Sequence, residues 1–173
     1  MEYKERPIIE IQLTDTDKKV ERACVALLII LWAGVTYGYS TLPDKIPTHY
    51  NIKNIPDAFD SKVYIFAIPG IATLLYILLS VVNRFPHKFN YLKPVTEENA
   101  SRMYHSATSM LRVVKMLILI GFITDITNDI IMAHDVTFHT NPISIILQWI
   151  PVVLIGAYVF LQVLKFQKSK TKS

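Results

Sequence analysis

The chain has 173 residues, 51% of them hydrophobic and 18% charged, against about 25% charged in a typical soluble domain. The formal net charge is +4, and a single cysteine, Cys24, excludes an internal disulfide and a cysteine-based zinc cluster. Mean hydropathy is +0.33, and the apolar residues are gathered into long blocks, which argues against a water-soluble enzyme.

Residues 1–22 are polar and carry six acids and five bases. Their short apolar run, Ile8, Ile9, Ile11 and Leu13, suits a disordered or loosely attached cytoplasmic segment. Asp15 or Thr16 is positioned to cap the helix that follows. Residues 23–42 give 20 positions without a charge, enough to span a bilayer. The block is too long and too far from the start for a signal peptide, and no small-residue cleavage site follows, so it reads as a retained helix.

The connection 43–62 holds Pro43, Pro47 and Pro56, which preclude a regular helix and predict a stiff loop with a turn at 51–54. Ser61 is placed to cap the second uncharged block, residues 63–82. A connector, 83–112, turns at Pro86 and Pro94. Thr96, Glu97 and Glu98 then open a helix that nothing breaks before about His134. Its early part is amphipathic through Met103, Ala107, Met110, Leu111 and Val114, and should lie along the headgroups or on the bundle. The third apolar block runs from about 113 to 133. The fourth, 142–164, opens on Asn141-Pro142 and carries a kinking Pro151. Residues 113–166 thus form a second helix pair, and 167–173 a basic tail suited to an anionic leaflet.

Lysine and arginine set the orientation. The segments 1–22, 83–115 and 165–173 hold 15 of them, and the two connections 43–62 and 133–141 hold 3. The expectation is an all-α integral membrane protein with four transmembrane helices and both termini in the cytoplasm. A Pro-rich outer loop joins helices one and two, and a long cytoplasmic lead enters helix three. Tyr37, Tyr39, Tyr64 and Phe66 fall where interfacial aromatic anchors belong.

The loop carries a pattern, Leu42-Pro43-x-x-Ile46-Pro47-x-His49-x-Asn51, then Pro56-Asp57-x-Phe59-x-Ser61-Lys62 leading into an apolar helix. It resembles the bacterial domain of unknown function numbered 1648, which also forms the N-terminal part of SdpI-like immunity proteins. Asn54 stands where that family has a turn glycine, a residue second only to glycine in accepting a left-handed backbone. Residues 90–100, Asn90-Tyr91 and then Pro94 to Ala100, resemble the cytoplasmic segment of short bacterial members. The resemblance implies a multi-pass protein of the bacterial cytoplasmic membrane. It also implies toxin immunity with a cognate repressor bound at the membrane, although the SdpI relatives carry a further hydrophobic domain that four spans do not hold.

Two groups of residues are candidate binding sites. In the loop, Pro43, Pro47, His49, Asn51, Pro56, Asp57, Ser61 and Lys62 form a stiff outer surface. His49 with Asp44, Asp57 and Asp60 is one reading of a ligand site. The other is that His49 and Asn51 bond the loop backbone while Asp57 pairs with Lys62. No His-x-x-x-His or Glu-x-x-His pair supports a metal. In helix three, Asp125 and Asp129 share a face with Asn128 beside them, and Asp125 lies about 13 Å inward from His134. Acids at that depth face the bundle interior, either to bind an ion, proton or peptide or to pair with Lys45 or Lys62 from the loop.

Cys24 reads as a small apolar filler, and His87, His105, His134 and His139 are scattered in the flanks and mark no site. No hydrolase elbow or phosphate-cradling glycine loop is present, the basic residues are membrane flanks rather than a nucleic-acid patch, and no cofactor is called for. The leading expectation is therefore a non-catalytic sensor or immunity-type protein. It would recognise a peptide toxin or envelope ligand at the outer face and report to a cytoplasmic regulator. The alternative is a proton- or cation-coupled transporter component, a homo-oligomer, that uses Asp125 and Asp129.

Overall fold

A computed structural model describes residues 6–52, 55–134, 150 and 153–158. Helix α1 spans Asp15–Thr41, strand β1 Lys45–Tyr50 and strand β2 Pro56–Ser61. A 3-10 turn, Lys62–Phe66, leads into α2, Ala67–Val82, and α3 spans Glu97–His134. Residues 150 and 153–158 are helical; the rest of the predicted fourth span, the 133–141 connection beyond His134 and the basic tail lie outside the described residues.

Three helical stretches, Asp15–Thr41, Lys62–Val82 and Glu97–His134, are long and apolar enough to cross a membrane. Within their most apolar windows only 22%, 17% and 22% of the residues are buried by the protein. Many other apolar side chains, such as Ile29, Ile30, Leu74 and Ile77, are exposed, and water is a poor solvent for surfaces of that size. Lipid meets the requirement that composition set.

The all-α expectation is corrected at the loop. Residues 45–61 form an antiparallel hairpin, with Lys45 opposite Ser61, Ile46 opposite Asp60 and Pro47 opposite Phe59. Proline is excluded from helices but tolerated on edge strands, and both strands of a two-stranded sheet are edges. The register shifts on either side of His49, which leaves Thr48 on β1 and Asp57 on β2 as bulge residues. The expected turn closes through Asn51, whose N–H donates to Ile55 O and whose Oδ1 accepts from Ile55 N–H.

The predicted starts of the first two helical stretches exist, the first with a different capping residue. Thr14, rather than Asp15 or Thr16, caps α1: its hydroxyl accepts from Asp17 N–H while the Asp17 carboxylate accepts from Thr14 N–H. That reciprocal box satisfies two otherwise orphaned groups. Ser61 Oγ accepts from Val63 N–H at the start of the 3-10 turn. The turn becomes α-helix around Pro69, whose missing N–H costs nothing in a first helical turn.

Two cores result. The larger joins Leu31 and Val35 of α1, Ala72 of α2, Leu119 and Ile126 of α3, and Ile46 of the hairpin. At the hairpin end α1 and α3 touch closely: a Cβ on Gly38 would lie 2.5 Å from Ile130 Cδ1 and 3.0 Å from its Cγ1. Thr41 Oγ1 meets His134 Nε2 at 3.1 Å, which ties the ends of the two helices together.

The second core lies at the other end and corrects one expectation. Residues 6–14 are not loosely attached. Arg6 Nη1 donates to the carbonyls of His87 and Phe89, the Tyr104 hydroxyl donates to Pro7 O at 3.0 Å, and Ile11 packs on Ala100, Met103 and Tyr104. Tyr91 and Val95 of the connector complete the cluster. Burial pushes the Tyr91 phenol up to about 12, so it stays protonated and donates to Pro86 O. Helix α3 has 38 residues, about 57 Å at 1.5 Å per residue, nearly twice a 30 Å hydrocarbon core. Its first turns carry a knob built with the N-terminal segment and the connector.

The α1–α3 contact gives a first prediction. Gly38→Leu must displace Ile130 and should cost about 1–3 kcal/mol. Gly34→Ala, on the same helix with nothing within 4 Å, should gain about 0.5–1 kcal/mol from helix propensity alone. Thermal unfolding in detergent should give melting points in the order Gly34→Ala, wild type, Gly38→Leu.

Candidate functional site

The hairpin is seated on one strand and displayed on the other. Ile46 of β1 is 6% exposed and enters the main core, whereas every residue of β2 from Asp57 to Ser61 is exposed. Lys62 fixes its base: the ammonium donates to Leu42 O at 3.2 Å, lies 3.5 Å from Asp44 and sits over the Tyr39 ring. Pro43 and Pro47 flank this clamp, and Ser61 closes it through the cap on Val63.

The predicted side-chain partners change. Asp57 bonds His49 Nδ1, not Lys62, because both bulges turn outward next to each other. Thr48 donates to Asp60 Oδ2 at 2.8 Å. Asn51 serves the turn, as the backbone-bonding reading expected, and Pro56 opens β2 opposite Tyr50. His49 and Asp57 side chains are 68% and 44% exposed, so the pair stands in solvent. Among the described residues no group of three or more metal-ligating side chains converges. Ile52, Ile55 and Phe59 are also exposed on the hairpin, which leaves apolar area beside the polar pairs.

Asp125, Asn128 and Asp129 occupy the half of α3 nearest the hairpin. Ile126 and Ile130 on that half pack into the main core, and each is preceded by one of the two aspartates, one residue step or about 100° around the helix. Asn128 is 5% exposed, and its Nδ2 has no hydrogen-bond partner among the described residues. Lys62 does not fold back onto these acids, since its ammonium is committed to Leu42, Asp44 and Tyr39.

A third polar centre lies at the knob end, and sequence reasoning missed it. Lys115, 2% exposed, donates to both oxygens of Glu21 at 3.0 and 2.8 Å and to Ser80 Oγ at 2.9 Å, and lies over the Tyr76 ring. Arg112 stands 3.3 Å from Glu21 and 3.6 Å from Asp17, held by charge, since neither its Nε nor its Nη1 has a directed hydrogen bond. Ser109 Oγ donates to Asp17 at 2.7 Å. Arg112 and Lys115 entered the orientation count as headgroup flanks. The available signal was paired spacing: acids four apart at 17 and 21 on α1, bases three apart at 112 and 115 on α3, both at the same predicted face of the membrane. Removing one member of such a buried pair typically costs about 3–5 kcal/mol, because the survivor is left uncompensated.

Comparison with known proteins bears on the hairpin unit. An uncharacterised protein of Archaeoglobus fulgidus is 28% identical over 86 residues, a match that covers 45% of this chain and 47% of that protein. The chain thus spans about half the length of the relative it matches. No solved structure matches significantly. Residues 26–73, which run from α1 through the hairpin into α2, match the family model of a domain of unknown function, DUF1648.

Proposed function

We propose that this chain is a non-catalytic, multi-pass protein of a bacterial cytoplasmic membrane that recognises a ligand at the outer face through the β1–β2 hairpin. The orientation places the knob and both termini in the cytoplasm, with a fourth span over residues 142–164. The observation that carries the reading is how the hairpin is seated: Ile46 of β1 enters the helix core while Asp57 to Ser61 of β2 are all exposed. A structural loop would bury or neutralise both strands. A recognition element needs one face fixed and one face free. The free face offers the His49–Asp57 pair, Asp60 and Phe59.

Ligand contact at the hairpin would bear on α3, which packs beneath β1 and ends in the knob. That continuity supports a sensor or immunity-type role with a peptide toxin or envelope ligand outside and a soluble regulator inside. The immunity element rests on resemblance to SdpI-like proteins. A second reading, a proton- or cation-coupled transporter component, is favoured by one observation: the buried Asn128 amide without a partner, next to two aspartates in a helix long and apolar enough to cross a membrane.

Orientation is tested with cysteine. The native Cys24 is buried and silent to an impermeant maleimide. In intact spheroplasts Ile52→Cys should be labelled and Ser101→Cys protected until lysis; the reverse would invert the topology. Recognition is tested in the native strain challenged with peptide toxins and envelope stress. Phe59→Ala combined with Asp57→Asn should lose the protection or transcriptional response that the intact gene supplies, with the melting point unchanged to within a few degrees. An unaltered response to gene deletion would count against the reading. Under the transport reading, reconstituted protein should show a pH- or cation-dependent flux that Asp125→Asn abolishes.

A further inference from the structure

Helix α2 runs from one charged boundary to another. Lys62–Val82 has 21 residues, about 32 Å at 1.5 Å per residue, close to the thickness of a hydrocarbon core. No charge lies between Lys62 and Arg84. With Lys62 at one headgroup region, Arg84 stands at the other.

The chain keeps turning past Val82. Arg84 N–H donates to Val81 O and Phe85 N–H to Val82 O, so two tight turns carry the helix on to Phe85. Leu74, Leu78, Val81 and Phe85 recur every three or four positions and share a face. All four are exposed, Phe85 at 43%. The exposed apolar stripe of α2 thus ends in an aromatic ring, and two exposed cations flank that ring. Lys88 Nζ lies 5.2 Å from its centroid, and Arg84 precedes it in the chain.

Neither cation is neutralised within the protein. Among the described residues no acid pairs with Arg84 or Lys88. The segment 83–96 holds Arg84, His87, Lys88 and Lys93 and no acid. The N-terminal segment brings a further cation to this turn, since Arg6 donates to His87 O and Phe89 O. Asp17 and Glu21 of α1 face Arg112 and Lys115 instead.

We propose that Arg84, Phe85 and Lys88 form a docking site for the headgroup of an anionic phospholipid. The two bases, four positions apart, meet the phosphate. The ring sits beside the glycerol and the first methylenes, and the acyl chains follow the exposed stripe of α2. A zwitterionic headgroup brings its own ammonium next to two cations, so the site selects net negative charge. Each base near an anionic leaflet contributes about fivefold to the attraction. Because Arg6 grips the same turn, the bound headgroup also moors the knob to the leaflet. The proposal rests on the membrane-spanning reading of α2. It is independent of what the hairpin binds and of which leaflet is cytoplasmic.

The test uses the full chain reconstituted in phosphatidylcholine vesicles that contain phosphatidylglycerol. After mild detergent extraction, native mass spectrometry reads the retained lipid. Wild type should retain phosphatidylglycerol in preference to phosphatidylcholine, and Arg84→Gln combined with Lys88→Gln should weaken that preference about 25-fold. Lys18→Gln combined with Lys19→Gln removes the same charge from α1 and should leave the preference in place. Equal losses in the two double variants would overturn the site as a general effect of charge. Soluble glycerol phosphate should not displace the lipid, and displacement would overturn the lipid assignment. A second measurement needs no variant. Acylation of Lys88 by a neutral reagent should slow, relative to Lys18 and Lys19, when phosphatidylglycerol replaces part of the phosphatidylcholine; an unchanged ratio would overturn the proposal. Flotation separates the two readings. A chain that floats with the vesicles yet shows no lipid preference overturns the docking site alone, whereas a chain that does not float overturns the membrane reading with it.

Discussion

The contact between α1 and α3 organises the rest of this protein. At the hairpin end it is a steric contact: Gly38 lacks the side chain that would collide with Ile130, so the two helices approach closely. At the knob end it is electrostatic, with Asp17 and Glu21 facing Arg112 and Lys115. Between the ends lie Leu31, Val35, Leu119 and Ile126, which are apolar on every side. In lipid, apolar matching gives little preference for one register over another, because tails are as apolar as leucine. Small-residue contact and buried charge pairs therefore carry the specificity. Each fails steeply when shifted by one turn.

Helix α3 is built in two parts. Over its first turns it has a small core of Tyr104, Met103 and Ala100, closed by the N-terminal segment. Over the remainder it is long and apolar enough to cross a membrane, with one face on α1 and α2. The charge network sits between the two parts, where Lys115 reaches Glu21 of α1 and Ser80 of α2 and rests on Tyr76 of α2. A buried cation without those partners would be costly. The knob and the bundle are thus joined by the same residues that set the helix register.

The hairpin follows from the other end of the same frame. A two-stranded sheet has little stability in isolation. Here Ile46 buries against Ile126 and the α1 end, and Lys62 holds the chain where it re-enters α2. The register shifts around His49 leave Thr48 paired with Asp60 and His49 with Asp57, so both polar pairs join the two strands on the exposed side. The match of residues 26–73 to a domain family covers this unit of helix, hairpin and helix start, leaving the knob and the acids of α3 outside it.

Length and apolar composition were enough to locate the three described apolar helices, charge-free in the first two and carrying Asp125 and Asp129 in the third, because a bilayer asks for a run of about 20 mostly apolar residues. Local capping was legible within a residue or two, and so was the unbroken run from Glu97 to His134, since helix starts and stops depend on near neighbours. Prolines at 43, 47 and 56 correctly denied a helix but could not distinguish a loop from paired edge strands, since pairing depends on a partner six to sixteen residues away. The sequence also presented Arg112 and Lys115 as membrane flanks and His105 as incidental. Only the fold placed them against Asp17 and Glu21, about 90 residues distant, because electrostatic meaning depends on spatial neighbours that linear spacing does not record.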